Sequence, residues 1–168
     1  MKNLLLILFV AALAPAGFGQ MPDVIDLSKF AINGITSEST VEELLRSFGE
    51  ADSIFDPKHE CGPLSPDWND VEVLMYRFGQ DTYHLVNGKL EFDEIHPDEN
   101  STIKYKGINL SGTGVEKELM KLFPQSYAHW LKNKNQQLVL WPCENCDSEI
   151  WIWIKDDRIE RIKYHNPC

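Results

Sequence analysis

The sequence lacks a cysteine near its N-terminus, and it lacks an apolar run long enough to cross a membrane. Its first cysteine is Cys61, so we expect no bacterial lipid anchor on a mature N-terminal cysteine. Its N-terminal apolar run covers only residues 4–14, whereas a membrane-spanning helix needs about 20 residues. We therefore predict that the protein has no stable membrane anchor.

The short apolar run is typical of a cleavable signal peptide. Lys2 precedes the run, and a small-x-small sequence at 17–19 follows it, which is the pattern of a cleavage site. We expect residues 1–19 to be removed and the mature protein to begin at Gln20. Such a protein is exported, either to a periplasm or to the extracellular space.

Basic residues are also scarce. The chain has 16 Lys and Arg against 26 Asp and Glu, which gives a formal net charge of −10. A surface of this kind repels phosphate backbones and argues against a nucleic-acid partner. The sequence also has no glycine-rich phosphate loop, no nucleophile elbow and no zinc-protease helix. We therefore predict a protein that is not an enzyme and that needs no cofactor and no metal.

The sequence does contain one order of features that occurs twice. Each copy begins with a strand ending in Gly-Ile and continues into an amphipathic helix. Each copy then ends in a β-hairpin, with two-residue turns at 87–88 and 156–157. The order predicts an α+β fold of two tandem β-α-β-β-β units, residues 20–98 and 99–168. We expect an antiparallel sheet with one helix packed on it per unit.

Local signals predict where the helices and strands lie. Ser39 and Glu42 have the spacing of a capping box, and an apolar stripe at helical spacing follows them up to Phe48. The helix of the second copy is expected to end at Pro124. After the helices, the expected strands are 71–78, 82–86, 89–95, 138–141, 149–155 and 158–164.

The two hairpins differ on the face that points away from their apolar pairs. In the second hairpin, alternation places five residues on that face, and we predict that they bind a partner: Trp151, Trp153, Glu160, Ile162 and Tyr164. The matching face of the first hairpin carries Thr82, His84, Glu91 and Asp93, which we interpret as a solvated polar face. The alternative for the aromatic face is that it belongs to the core. The solvent exposure of Trp151 and Trp153 distinguishes the two interpretations.

The four cysteines favour a structural role. They are Cys61, Cys143, Cys146 and Cys168, an even number that in an exported protein predicts two disulfides with three possible connectivities. Cys143 and Cys146 also have the spacing of thiol–disulfide oxidoreductases, and with Cys168 and His165 they could ligate zinc. Because their segment lies between two predicted strands and not at the start of a helix, disulfides are the favoured interpretation. A thiol-redox or zinc-binding protein is the alternative function.

The motifs of the repeat resemble a known family. The resemblance lies in the segments 34–36, 41–44, 48–49 and 86–90, and it is repeated more faintly at 107–109 and Phe123. With these segments the repeat resembles that of β-lactamase-inhibitor-protein-like domains and of the related outer-membrane assembly lipoproteins. The resemblance implies tandem units that form a curved sheet whose concave, aromatic-rich face binds a protein. The lipidated cysteine of the lipoproteins is missing here, and no particular target carries over. We therefore expect an exported, non-catalytic protein-binding or envelope-associated domain whose partner is another protein.

Overall fold

The computed structural model describes residues 22–58, 72–133 and 136–167. These residues form a mixed α+β fold, and the strands within its sheets pair antiparallel. In chain order the elements are β1 (Phe30–Ile32), α1 (Val41–Phe48), β2 (Ser53–Phe55), β3 (Val73–Phe78), β4 (Asp81–Val86), β5 (Lys89–Ile95), β6 (Ile103–Tyr105), β7 (Ile108–Asn109), α2 (Val115–Leu122), α3 (Pro124–Lys132), β8 (Leu138–Leu140), β9 (Glu149–Lys155) and β10 (Arg158–His165). A short 3-10 helix, Leu27–Lys29, precedes β1.

Two sheets organise these elements. The main sheet has seven strands in the order β2-β3-β4-β5-β10-β9-β8. At its centre β5 pairs with β10, and Ile95 lies opposite Ile162. The small sheet has the order β1-β6-β7, with Phe30 opposite Tyr105. The small sheet packs on the main sheet through Phe30 and Phe92, whose ring centroids are 5.6 Å apart.

One hydrophobic core fills the space between the main sheet, the small sheet and the helices. The main sheet contributes residues of one face only: Tyr76, Tyr83, Leu90, Ile95, Leu138, Leu140, Ile150, Ile152, Ile159 and Ile162. Leu44 of α1, Leu119 of α2 and Trp130 of α3 belong to the same cluster. Burial of this apolar surface is the main favourable term in folding. The opposite face of the main sheet lies outside the core cluster.

Both predicted hairpins form, with the predicted pairs on the core side. Leu85 lies opposite Leu90 in the first hairpin, and Ile154 lies opposite Ile159 in the second. All four turn residues have positive φ, as type I′ turns require: Asn87 49°, Gly88 80°, Asp156 50° and Asp157 58°. β5 and β9 have the predicted bounds, and residue 71 of the expected strand 71–78 lies outside the described residues.

The first helix begins one residue later than the sequence predicts. Its capping box consists of Thr40 and Glu43, not of Ser39 and Glu42. Thr40 Oγ1 accepts a hydrogen bond from the Glu43 N–H at 3.2 Å, and Glu43 Oε2 accepts one from the Thr40 N–H at 2.9 Å. The Ser39 hydroxyl instead accepts a hydrogen bond from the Thr36 N–H at 3.2 Å, so it is used in the turn before the helix.

The second half of the chain has two helices, which corrects the prediction of one helix per unit. Pro124 does not end the helical segment but begins α3, directly after α2 and Phe123. Proline is well suited to the first position of a helix, because the N–H that it lacks would have no partner inside the helix. A proline next to a helical stripe can therefore end one helix or begin the next, and the prediction that Pro124 ends a helix is wrong.

Helix α2 receives its N-terminal cap from the turn of the β9–β10 hairpin. Gly114, at its N-cap position, offers no side chain for a hydrogen bond. The Asp157 carboxylate accepts hydrogen bonds from the N–H groups of Gly114 and Glu116, both at 2.8 Å. The first N–H groups of a helix have no partner within it, so Asp157 satisfies donors that lie 41 and 43 residues away.

Helix α3 is capped by the N-terminal segment of the described chain. The Asp23 carboxylate accepts hydrogen bonds from the N–H groups of Gln125 and Ser126, both at 2.9 Å. In return, the Ser126 hydroxyl accepts a hydrogen bond from the Asp23 N–H at 2.8 Å. The next residues continue along the edge of the main sheet, where the N–H of the buried Ile25 donates to the Trp141 carbonyl at 2.8 Å.

Candidate functional site

The face of β9 and β10 that points away from the core carries two tryptophans among charged side chains. We call this surface the tryptophan strip and define it by eight residues: Glu149, Trp151, Trp153 and Lys155 on β9, and Arg158, Arg161, Lys163 and His165 on β10. Trp151 lies opposite Lys163, and Trp153 lies opposite Arg161. Both tryptophans are half-buried, and neither belongs to the hydrophobic core. Solvent therefore reaches this face of the sheet.

Ile162 and Tyr164 do not share the face of the tryptophans, which corrects the sequence prediction. A β-bulge at Glu160 adds one residue to β10, and a bulge of this kind reverses the side on which the following residues lie. Both residues pair with isoleucines of β9 on the core side, and Ile162 is fully buried. Glu160 itself is exposed and forms an ion pair with Lys155 at 3.4 Å.

The bulge brings to the face of the tryptophans three residues that were not predicted there: Arg161, Lys163 and His165. One signal could have revealed them. Ile159 and Ile162 both belong to the core but are three positions apart, an odd spacing that strict alternation in a strand does not allow. An odd spacing between core residues of one strand indicates a bulge between them.

The aromatic rings of the strip are held by one another and by their polar neighbours. The His165 ring stacks on Trp151 with ring centroids 3.9 Å apart, and the two indoles meet edge to face at 5.9 Å. The Arg161 guanidinium lies over the Trp153 ring, 4.2 Å from its centroid, in cation–π geometry. Trp151 Nε1 donates to Glu149 Oε2 at 2.5 Å. The rings are therefore fixed in place before any partner arrives, which lowers the entropic cost of binding.

An ion cluster around Glu94 borders the tryptophan strip at the centre of the main sheet. The Glu94 carboxylate lies 3.0 Å from His96 Nε2, 2.8 Å from Arg161 Nε and 3.1 Å from Lys163 Nζ. The Arg161 contact is an ion pair rather than an aligned hydrogen bond. Partial burial alone would raise the pKa of Glu94, but the hydrogen bond and charge of Lys163 and the charge of Arg161 outweigh it. The pKa of Glu94 consequently lies below its ordinary value.

Replacing Glu94 by Gln is expected to lower the free energy of unfolding by about 1 kcal/mol at pH 7, because two partly buried cations lose their carboxylate. The pKa of Glu94 is lower in the folded chain than its ordinary value of 4.5. The ionised carboxylate therefore stabilises the fold above about pH 4.5, and this contribution is lost as the pH falls further. Urea denaturation of both proteins at pH 7 and pH 3 measures the difference. The deficit of the variant should shrink at pH 3, and Glu160→Gln, at an exposed ion pair, should show no comparable deficit at either pH.

The same face of the first hairpin has different chemistry. Thr82 and His84 are buried, and the Thr82 hydroxyl donates to Asp93 Oδ2 at 2.8 Å. Burial raises the pKa of Glu91. The prediction of a solvated polar face is therefore wrong for Thr82 and His84. Among the described residues, no three or more His, Cys, Asp or Glu side chains come close enough to hold a metal ion.

Two of the four cysteines form a disulfide. Cys143 is joined to Cys146 in the loop between β8 and β9. In this state neither sulfur is a thiolate that could bind zinc, and the pair does not open a helix as in thiol oxidoreductases. His165, the fourth ligand of the alternative zinc site, is stacked on Trp151. Cys61 and Cys168 lie outside the described residues, so the second predicted disulfide stays a prediction.

Comparisons with protein-family models, with curated proteins and with solved structures find no match to this chain. In the described ranges, no helix has both the length and the apolar character that crossing a membrane requires.

Proposed function

We propose that this chain is an exported, non-catalytic domain that binds another protein through the tryptophan strip. The observation that carries the proposal is the pair Trp151 and Trp153, which are half-buried and lie on a sheet face outside the core cluster. Tryptophan and arginine are the residues most often found at the energetic centre of protein interfaces. In the strip they are adjacent, since Arg161 lies over Trp153. A partner that covers both rings would bury a large apolar area with little loss of side-chain freedom.

We further propose that the scaffold consists of two tandem units related by an approximate two-fold axis. Three features of the topology support this proposal. The last strands of the two units, β5 and β10, pair with each other, and so do the first strands, β1 and β6. Outward from the centre, β4 and β3 on one side correspond to β9 and β8 on the other. The arrangement agrees with the resemblance to β-lactamase-inhibitor-protein-like repeats, which we retain as a proposal.

Replacing Trp151 and Trp153 together by Ala is expected to weaken partner binding by at least about tenfold, since loss of one interface anchor typically costs more than 1 kcal/mol. The measurement is a cross-linking pull-down from the native envelope fraction, quantified against the unaltered protein. Leu131→Ala with Met120→Ala is the matched control, because both side chains are exposed apolar residues outside the strip. Capture that is equal for the tryptophan variant and the unaltered protein would contradict the proposal.

The tryptophan variant needs a second measurement, because its rings are half-buried. Trp151→Phe and Trp153→Phe keep an aromatic ring at each position and serve as variants that should fold normally. Far-UV and near-UV circular dichroism of all variants then separates loss of binding from loss of folding. If the alanine variant unfolds, folded phenylalanine variants that bind as well as the unaltered protein would show that binding does not need the indole rings of Trp151 and Trp153.

Export is tested by the mass of the mature protein. We expect the secreted or periplasmic form to begin at Gln20, after removal of residues 1–19. The mass should also be lower by four hydrogens than that of the fully reduced chain, because both predicted disulfides should be present. A cytoplasmic protein that retains residue 1 would contradict the proposal of export.

A further inference from the structure

The tryptophan strip has an excess of positive charge in a chain that is strongly acidic. The chain as a whole carries 26 acidic against 16 basic residues. The strip contains the cations Lys155, Arg158, Arg161 and Lys163, against Glu149 within it and Glu94 and Glu160 beside it. A negatively charged partner is repelled by the acidic chain as a whole, and on the strip it meets these four cations.

The cations of the strip are incompletely neutralised by their neighbours. Arg161 and Lys163 share one carboxylate, that of Glu94. Arg158 is exposed and has no ion pair within the described part of the chain. Lys155 pairs with Glu160, but their side chains are 66% and 54% exposed, and such a pair contributes little in water. Carboxylates brought to the strip therefore meet available positive charge.

We propose that the segment which docks on the tryptophan strip is an acidic, extended segment of another protein; this inference rests on the proposed function. Arg161 and Lys163 are alternate residues of one strand and are about 7 Å apart along it. An extended peptide has the same repeat between alternate side chains, so acids two positions apart meet both cations. An apolar side chain beside these acids covers the rings of Trp151 and Trp153.

The ring geometry favours a protein segment over an acidic polysaccharide. A sugar ring stacks on an open, flat aromatic face. One face of Trp151 is occupied by His165, and Arg161 lies over Trp153. The two indoles are also inclined by 77°, so they do not form one flat platform. Apolar side chains, which pack against ring edges as well as faces, fit this arrangement better.

Selection from a library of random dodecapeptides displayed on phage, with the immobilised mature protein as target, tests this inference. We expect enriched peptides to carry Asp or Glu two positions apart, beside an apolar residue. A synthetic peptide of the enriched sequence should lose affinity by about tenfold when Lys155 and Arg158 are both replaced by Glu. Lys155 and Arg158 lie opposite each other on the same strip and attract the same acidic segment, whereas Arg161 and Lys163 also hold Glu94. Unchanged affinity of this variant would overturn the acidic segment.

The matched control makes the same charge change away from the strip. Lys104→Glu with Lys117→Glu alters two exposed lysines of β6 and α2 and should leave the affinity within about twofold. Enriched peptides that need the tryptophans but show no excess of acids would overturn the acidic segment and leave the proposed binding function intact. Peptides whose affinity does not change when the tryptophans are replaced, or no enrichment at all, would overturn both the acidic segment and the proposed binding function. Tighter binding of a sulfated polysaccharide than of any peptide would overturn the proposal that the ligand is a segment of a protein.

Discussion

Replacing Asp157 by Gly is expected to lower the free energy of unfolding by about 2 kcal/mol, because α2 then loses the one side-chain cap that the described residues give it. The two N–H groups of Gly114 and Glu116 that bond to the carboxylate have no partner within the helix. Glycine is chosen because Asp157 has a φ of 58°, which glycine adopts without strain. The loss of stability then reports the missing cap and not a strained turn. Urea denaturation followed by circular dichroism measures it.

The neighbouring turn residue supplies a matched control. Asp156 has a φ of 50° in the same two-residue turn, and no side-chain hydrogen bond of Asp156 is found among the described residues. Asp156→Gly makes the same change in backbone freedom and net charge without removing a cap. We expect it to change the free energy of unfolding by less than about 0.5 kcal/mol. Equal effects of the two substitutions would show that the carboxylate of Asp157 does not stabilise α2.

The cap also connects the scaffold to the tryptophan strip. Asp157 lies in the turn between β9 and β10, the two strands that carry the strip. Its bonds to α2 hold the tip of this hairpin against the helical layer, while Glu94 holds β10 to β5. The strip is thus fixed at its tip and along one side. Asp157→Gly should therefore weaken partner binding as well as stability, although Asp157 is not part of the strip.

Local features of the fold were predictable, because each depends on a few neighbouring residues. The hairpins around 87–88 and 156–157 follow from turn chemistry and alternation, and both have the predicted register. The helical stripes follow from spacing alone. The error at Pro124 has a local cause too, since a proline begins a helix as readily as it ends one.

The non-local features were not predictable in the same way. Asp157 and Asp23 are ordinary acidic residues in the sequence, and their roles depend on helices that lie 41 and 102 residues away. In the candidate site, the two tryptophans could be placed on one face, but a prediction that assumes strict alternation does not allow for the bulge at Glu160. The composition of the strip therefore changed: Ile162 and Tyr164 left it, and three basic residues replaced them.

Replacing Asp23 by Ala is expected to lower the free energy of unfolding by about 2 kcal/mol. Two N–H groups at the start of α3 lose a charged acceptor, since Phe123 at the N-cap position provides no side-chain hydrogen bond. Loss of this contact also releases the edge of the main sheet, where Trp141 N–H donates to the Asp23 carbonyl at 3.0 Å. Hydrogen exchange should therefore quicken in α3 and at Trp141 before it quickens in β4 and β5.

A double-mutant cycle with Ser126 identifies the source of the effect. The Ser126 hydroxyl accepts from the Asp23 N–H, so the two residues form a reciprocal pair across 103 positions of the chain. We expect Ser126→Ala to lower the free energy of unfolding by less in the Asp23→Ala background than in the unaltered chain. In that background, the N-terminal segment that Ser126 holds is already released. Asp26→Ala is the matched control, since Asp26 is an exposed acid of the same segment that caps only the short 3-10 helix. Strictly additive costs for Asp23 and Ser126, or a cost for Asp26→Ala as large as that for Asp23→Ala, would contradict a specific cap on α3.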